Sequence, residues 1–213
     1  MATAIRVKAR VSQEHLDARR RQILDGAARC FARNGFHATS VQDVLGAVGL
    51  SAGAVYRYFR GKDEIIAAIA TEAFAGIRGA FEEASRATPP PTPDVLIGPV
   101  LRLFLEERIE GADRQAFARL IIQVRTETLR NERLARTLSE GYNGMRVVWA
   151  DLVALYKEGG ILAADVPADH VARTLIAVVQ GFIAQQALFG DVAVDVLEDG
   201  IRGLMSMSVD PIR

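Results

Sequence analysis

Apolar residues recur along most of the chain at spacings of three and four, the period of a helix with one buried face. The first such run predicts a helix from about Ser12 to Asn34, with Leu16, Ile23, Leu24, Ala27, Cys30 and Phe31 on its apolar stripe and Gly35 as its stop. Thr39-Ser40-Val41-Gln42-Asp43 follows. Thr39 with Gln42, and Ser40 with Asp43, give two overlapping capping-box spacings and a strong helix start. This short helix turns Val41, Val44 and Leu45 inward and ends near Val48-Gly49. Ser51 then caps a third helix from Ala52 to about Phe59, with Val55 and Phe59 inward and Tyr56, Arg57 and Arg60 left to face elsewhere. Gly61-Lys62-Asp63-Glu64 opens a fourth helix to about Ser85, with acid groups in the first turn as the helix dipole favours.

Ala87-Thr88-Pro89-Pro90-Pro91-Thr92-Pro93 is the clearest break, because proline lacks a donor and fixes φ. Beyond it the pattern predicts helices at about 94–110, 113–128, 131–158, 167–189 and 193–208. No segment alternates apolar and polar residues as a strand would, and no hairpin dipeptide appears. The expected fold is all-α, about nine helices in two parts. Residues 1–62 form a three-helix helix-turn-helix domain (motif about 40–59), and residues 63–213 a larger helical domain.

Charge sharpens that division. Residues 1–62 hold 11 Lys and Arg against 4 Asp and Glu, a net +7, and residues 63–213 carry the balancing −7. A basic front suggests that one end meets a polyanion. One cysteine among 213 residues excludes an intrachain disulfide framework. No signal-peptide run and no stretch of ~20 uninterrupted apolar residues is found, which gives the expectation of a cytoplasmic protein without membrane contact. His15, His37 and His170 have no partner at metal-ligand spacing, and no nucleophile motif or phosphate loop is evident. The expectation is a non-enzyme without cofactor or metal.

Two short helices joined by Gly49-Leu50-Ser51 fit a helix-turn-helix, whose second helix can enter a DNA major groove. Ala52, Gly53 and Ala54 are small enough for the backbone to approach base edges. Tyr56 and Tyr58 offer hydroxyls to flanking phosphates, and Arg57 suits phosphate or a bidentate contact with guanine. Lys62 begins the fourth helix, whose N-terminus also attracts anions.

The run Ile23 to Phe31, then Gly35, Thr39-Ser40-Val41, Val48-Gly49-Leu50-Ser51-Ala52-Gly53-Ala54-Val55-Tyr56-Arg57-Tyr58-Phe59 and Lys62-Asp63-Glu64 closely resembles the DNA-binding domain of TetR-type transcriptional regulators. The resemblance covers about residues 17–67. It implies a homodimeric repressor that binds a palindromic operator in double-stranded DNA and is released by a small-molecule effector. By position it assigns Thr39 and Ser40 to phosphate, Ala52, Gly53 and Ala54 to bases, and Tyr56, Tyr58 and Lys62 to the DNA backbone, with Ser51 as the cap. Gly61 departs from the serine common there, and Ala52 and Ala54 lack the polar groups often found. Base reading then rests on thymine methyls, Arg57 and DNA shape.

Outside that domain the signals are broader. Phe104, Phe117, Tyr142, Met145, Trp149 and Phe182 lie on helices expected to enclose a cavity, although such residues are more often plain core. Phe104, Tyr142, Met145, Trp149 and Gln180 are the ligand-site candidates; Gln123 and Gln185 also interrupt apolar stretches. Gly76, Gly79, Gly141, Gly144 and Gly181 suggest close helix crossings or room for a ligand. The last two helices, about 167–208, carry more apolar surface than a solvated hairpin needs, through Val171, Leu175, Ile176, Val179, Phe182, Ile183, Val194, Leu197, Ile201, Leu204 and Met205. A four-helix dimer interface would bury it; the plainer reading is the monomer's own core. Arg6, Lys8 and Arg10 read as a frayed tail or a groove-tracking arm, Arg19-Arg20-Arg21 as a solvated face, and Cys30 as a buried inert thiol. The rival function is a helical ligand-binding protein that keeps the fold without operator binding.

Overall fold

A computed structural model of the chain describes residues 2–107, 114–163, 165–190 and 192–207; side chains of residues 2–13, 106 and 107 fall outside that description. Its helices are α1 (Ala2–Asn34), α2 (Val41–Val48), α3 (Ala52–Tyr56), α4 (Lys62–Ala84), α5 (Pro93–Arg102), α6 (Arg114–Glu127), α7 (Glu132–Glu158), α8 (Ala168–Phe189) and α9 (Val194–Met205). No strand occurs among the described residues, and the architecture is the expected all-α one.

Three boundaries differ from the sequence expectation. The first helix starts at Ala2, not near Ser12, because no glycine or proline interrupts residues 2–13. The basic segment therefore continues α1 instead of preceding it; the side chains of Arg6, Lys8 and Arg10 lie outside the described residues. The third helix stops at Tyr56 because its last turn tightens, with Val55 O accepting from both Tyr58 N–H (2.9 Å) and Phe59 N–H (3.0 Å). The α5 helix carries Pro99 in its interior and passes at Leu103–Glu107 into a π turn, a short wide turn often found at functional sites. The break expected at Glu110-Gly111 is outside the described residues.

Ile23, Phe31, Phe36, Val44, Val55 and Phe59 form the buried centre of α1–α3, and Ile65 and Ile66 at the start of α4 complete it. The rest of α4 runs on into the larger domain, where it packs along α7. There Phe81 lies against Trp149, ring centroids 4.7 Å apart. The α8 helix packs on α6 and α7, and α9 lies on α5. Gly98 permits the last contact, since a Cβ there would stand 1.6 Å from Glu198 Oε1. Arg102 pairs with Glu198 (2.6 Å) and Asp195, and Arg202 with Asp94 (3.1 Å). Burial works to raise the Asp94 carboxyl, but hydrogen bonds from Thr92 and Arg202 bring it below its ordinary value.

The turn between α2 and α3 depends on one left-handed residue. Gly49 has φ 65°, and its N–H and that of Leu50 both donate to Leu45 O (3.0 and 3.4 Å). Gly49→Ala should lower stability by about 1 kcal/mol, because a side chain is strained in that conformation. In a thermal melt this is a fall of about 2–4 °C; an unchanged melting temperature would show that the turn relaxes freely.

Candidate nucleic-acid interface

The corner between α1 and α2 sets where the helix-turn-helix sits. Gly35 (φ 84°) ends α1, and its carbonyl accepts from Thr39 N–H (3.2 Å) and Thr39 Oγ1 (2.8 Å). Thr39 Oγ1 also lies 3.2 Å from Cys30 O, and the residue is only 1% exposed. This departs from the phosphate contact expected of Thr39: the side chain faces inward and ties α2 to α1. The overlapping capping signals resolve accordingly. Ser40 is the N-cap, its Oγ accepting from Asp43 N–H (3.2 Å) while its own N–H donates to Asp43 Oδ2 (2.7 Å). The Ser40 hydroxyl also donates to Asp43 Oδ2 (2.7 Å), and this bond with that from the backbone N–H holds the Asp43 carboxyl below its usual range.

Ser51 caps α3, accepting from Ala54 N–H at 3.3 Å. A five-residue helix is marginal alone, and the buried Val55 and Phe59 hold it in place. That anchoring leaves Ser40, Gln42, Ser51, Ala52, Gly53, Tyr56 and Arg57 exposed, with Ala54 and Tyr58 half-buried behind them. Nothing lies within 4 Å of the place a Gly53 Cβ would occupy. The surface is therefore small-residue at its centre, flanked by a phenol and a guanidinium.

Lys62 is placed differently from a free phosphate contact. Its Nζ donates to the carbonyls of Phe36 (3.2 Å), His37 (3.2 Å) and Thr39 (3.5 Å), and lies 4.8 Å from the Phe36 ring centroid. Three donors meet three carbonyls of the α1–α2 corner. The α4 N-terminus has Gly61 at its cap and no side-chain cap bond. Instead Glu64 accepts from Arg60 N–H (2.6 Å) and from Arg133 (2.7 Å), and those two partners hold its carboxyl low. Cys30 is half-buried, and desolvation first, then the Asp43 charge, pushes its thiol up.

The same corner is tethered to the larger domain. Phe36 N–H donates to Gln123 Oε1 on α6 (2.8 Å), and His37 stands 3.5 Å from Glu127 one turn on. Asn131 and Arg133, at the start of α7, reach Asp63 and Glu64 on α4. On its other face α6 lines a half-open cavity of about 160 Å³ formed between α4, α5 with its π turn, α6, α7 and α8. All five ligand-site candidates, Phe104, Tyr142, Met145, Trp149 and Gln180, lie on its wall, as does Phe117. Phe182 is buried elsewhere, and Gln185 is exposed. Apart from Tyr142 and Gln180, the one polar lining residue is Arg125, whose guanidinium carbon is 5.9 Å from the Tyr142 ring centroid. Of the noted glycines, Gly141 makes a close crossing, with Phe74 2.2 Å from where its Cβ would be, whereas Gly79, Gly144 and Gly181 face open space.

Residues 23–69 match the family described as bacterial regulatory proteins of the tetR family, and residues 99–205 match that of the BetI-type transcriptional repressor C-terminal domain. The transcriptional repressor AcnR of Corynebacterium diphtheriae is 30% identical over 202 residues, covering 90% of this chain and 96% of its own. The repressor Rv1474c of Mycobacterium tuberculosis is 29% identical over 201 residues, with 91% and 98% covered. The chain belongs to the TetR family. Among solved structures, Salmonella enterica GusR superposes with TM-score 0.69 at 26% identity, covering 89% of this chain and 96% of GusR. The regulator FadR of Bacillus subtilis, solved with stearoyl-CoA, shares the fold with TM-score 0.71 at 16% identity, covering 89% of this chain and 98% of FadR.

This TetR-family protein is thus a DNA-binding transcription regulator and not an enzyme. Sequence reasoning missed three of its residues. Gln42 was read only as a possible cap, yet it is exposed on the first turn of α2. Gln123, which in the sequence only interrupts an apolar stretch, holds the α1–α2 corner. Arg125 was not singled out, although a cation in line with Phe117 and Ile121 on an apolar stripe was a readable signal. We expect Lys62→Met to lower stability by about 1–2 kcal/mol through the lost corner bonds, leaving the salt dependence of DNA binding unchanged. Chemical denaturation and a salt titration check both. A slope flatter by about 0.9 would return Lys62 to the phosphate contacts.

Proposed function

We propose that this regulator represses transcription as a homodimer on a palindromic operator, and that a small molecule entering the cavity releases it. The observation that carries the reading is the double engagement of α6. One face lines the cavity through Phe117 and Ile121, and the other holds the α1–α2 corner through Gln123. A ligand that moves α6 therefore moves the helix-turn-helix. A ligand binding one position of α6 better than the other shifts the DNA-binding equilibrium by that difference in affinity.

In this reading residues 1–62 meet DNA and residues 63–213 bind effector and partner, with α4 shared between them. Ala52, Gly53 and Ala54 face base edges, and Ser40, Ser51, Tyr56 and Tyr58 face the sugar-phosphate backbone. Arg57 either reads a base or pairs with phosphate. Thr39 and Lys62 act by positioning the corner. A DNA partner puts the protein in the cytoplasm.

The dimer reading rests on α8 and α9. Val194, Ile201, Phe182 and Ile183 are buried within the protomer, so part of the apolar surface there completes its own core. What remains outside is still large. Leu188, Phe189 (79% exposed), Val196, Leu204, Met205 and Met207 are uncovered, beside the exposed small residues Ala177, Gly181, Gly200 and Gly203. By length and composition α8 is apolar enough to cross a membrane. A helix sandwiched between its own core and a second copy has the same composition. Pairing α8 and α9 with their copies would make a four-helix interface and set two recognition helices one DNA turn apart, roughly 34–36 Å.

Fluorescence anisotropy on DNA from immediately upstream of the gene, across a salt series, tests the regulator. Saturable binding with a steep salt slope is expected, and weak binding indifferent to sequence would refute an operator there. Arg57→Ala should change preference among operator variants if Arg57 reads a base, by about 1–3 kcal/mol at the affected position; a uniform loss makes it a phosphate contact. Phe189→Asp with Leu204→Asp should give monomers in sedimentation and a loss of operator affinity. Dimers of unchanged stability would remove α8 and α9 from the interface.

A further inference from the structure

Arg125 carries the one formal charge on the wall of an otherwise apolar cavity. Its Nε is sealed from solvent and has no hydrogen-bond partner. Tyr142's ring, 5.9 Å away, is its contact, and no carboxylate pairs with it among the described residues. The neighbouring acid on α6, Glu127, turns to His37 instead. Arg146 makes the contrast useful. Its Nε is also buried and unpaired, but its Nη1 bonds to Asp169, so its charge is met within the protein. Arg125 alone joins a buried, unpartnered Nε to a charge with no answering anion among the described residues, an arrangement that favours an incoming one.

The cavity limits what can bring that anion. About 160 Å³ of space walled by Phe104, Phe117, Trp149 and Ile183 is close to the ~150 Å³ at which a dry apolar cavity accepts benzene. We infer that the effector is a small amphipathic acid: an aromatic ring or short alkyl chain in the apolar space, with one anionic group paired to Arg125. The inference rests on the effector reading above and names the ligand's chemical class. It also gives the ligand a route to DNA. Arg125 lies two residues beyond Gln123 on the other side of the same α6 turn, so a bond drawn to its guanidinium acts on the turn that holds Phe36 N–H.

Trp149, the only tryptophan, reports on the cavity directly. The full chain is titrated with two matched pairs, octanoate against 1-octanol and 3-phenylpropionate against 3-phenylpropan-1-ol, following tryptophan emission. In the wild type each acid should bind at least about tenfold tighter than its alcohol. Arg125→Met should bring that ratio near one while alcohol binding persists, which also shows that the cavity remains folded. Arg125→Lys should restore part of the preference, since it keeps the charge and loses the planar fork. Equal binding of acid and alcohol in the wild type, a preference surviving in Arg125→Met, or no emission change with any probe would each overturn the assignment. Operator anisotropy in the same samples separates the two readings. Acids that bind through Arg125 without displacing DNA would support the ligand class and refute effector release.

Discussion

The corner between α1 and α2 has more backbone polar groups than its own residues can satisfy, and the way they are satisfied organises the molecule. Leaving α1, the chain exposes carbonyls that no helix accepts. The Lys62 ammonium takes three of them, while the Thr39 hydroxyl reaches back to Cys30 O and Gly35 O. The Phe36 N–H goes to Gln123. Lys62 comes from α4 and Gln123 from α6, so the corner joins α1, α4 and α6 at one point. A buried polar group left unmet is costly. The three helices are therefore constrained to move together or to break specific bonds.

This constraint gives the recognition surface its form. The α3 helix has five residues and no stabilising length, so its position derives from Val55 and Phe59, which are buried in the core that Phe36 helps build. Inward anchoring by large side chains leaves the outward face to small ones. A surface of Ala52 and Gly53 flanked by Tyr56 and Arg57 suits close approach more than deep hydrogen-bonded readout. In the reading proposed above, shape and phosphate position matter more than any single base contact.

The larger domain solves a different problem. Helices packed at native density leave few voids, yet here five elements surround a half-open space lined almost wholly by carbon, with a guanidinium on its wall. The π turn at Leu103–Glu107 places Phe104 there, and Gly141 lets Phe74 lie against α7. The first interrupts regular helix at the cavity, and the second draws α4 and α7 close beside it. The wall helix α6 also holds the corner, so the cavity and the helix-turn-helix share one connecting helix.

Local chemistry was legible in the sequence to within a few residues. Helical period, Gly49 as a stop, Ser51 as a cap and the proline break all act between neighbours, and each was found where expected. The two overlapping capping boxes could not be resolved that way. Choosing Ser40 over Thr39 depends on which side chain faces the core, and Cys30 O on α1 with Gly35 O just past its end decide that. Lys62, Gln123 and Arg125 belong to the same class. Their partners lie 26, 87 and 17 positions away, in Phe36 for the first two and in Tyr142 for the third. Period and composition say that a residue is apolar or charged, and they say which face of its own helix it occupies. Whether an apolar face meets a core, a cavity or a second protein, and whether a charge meets an anion or a carbonyl, is settled only when distant helices pack.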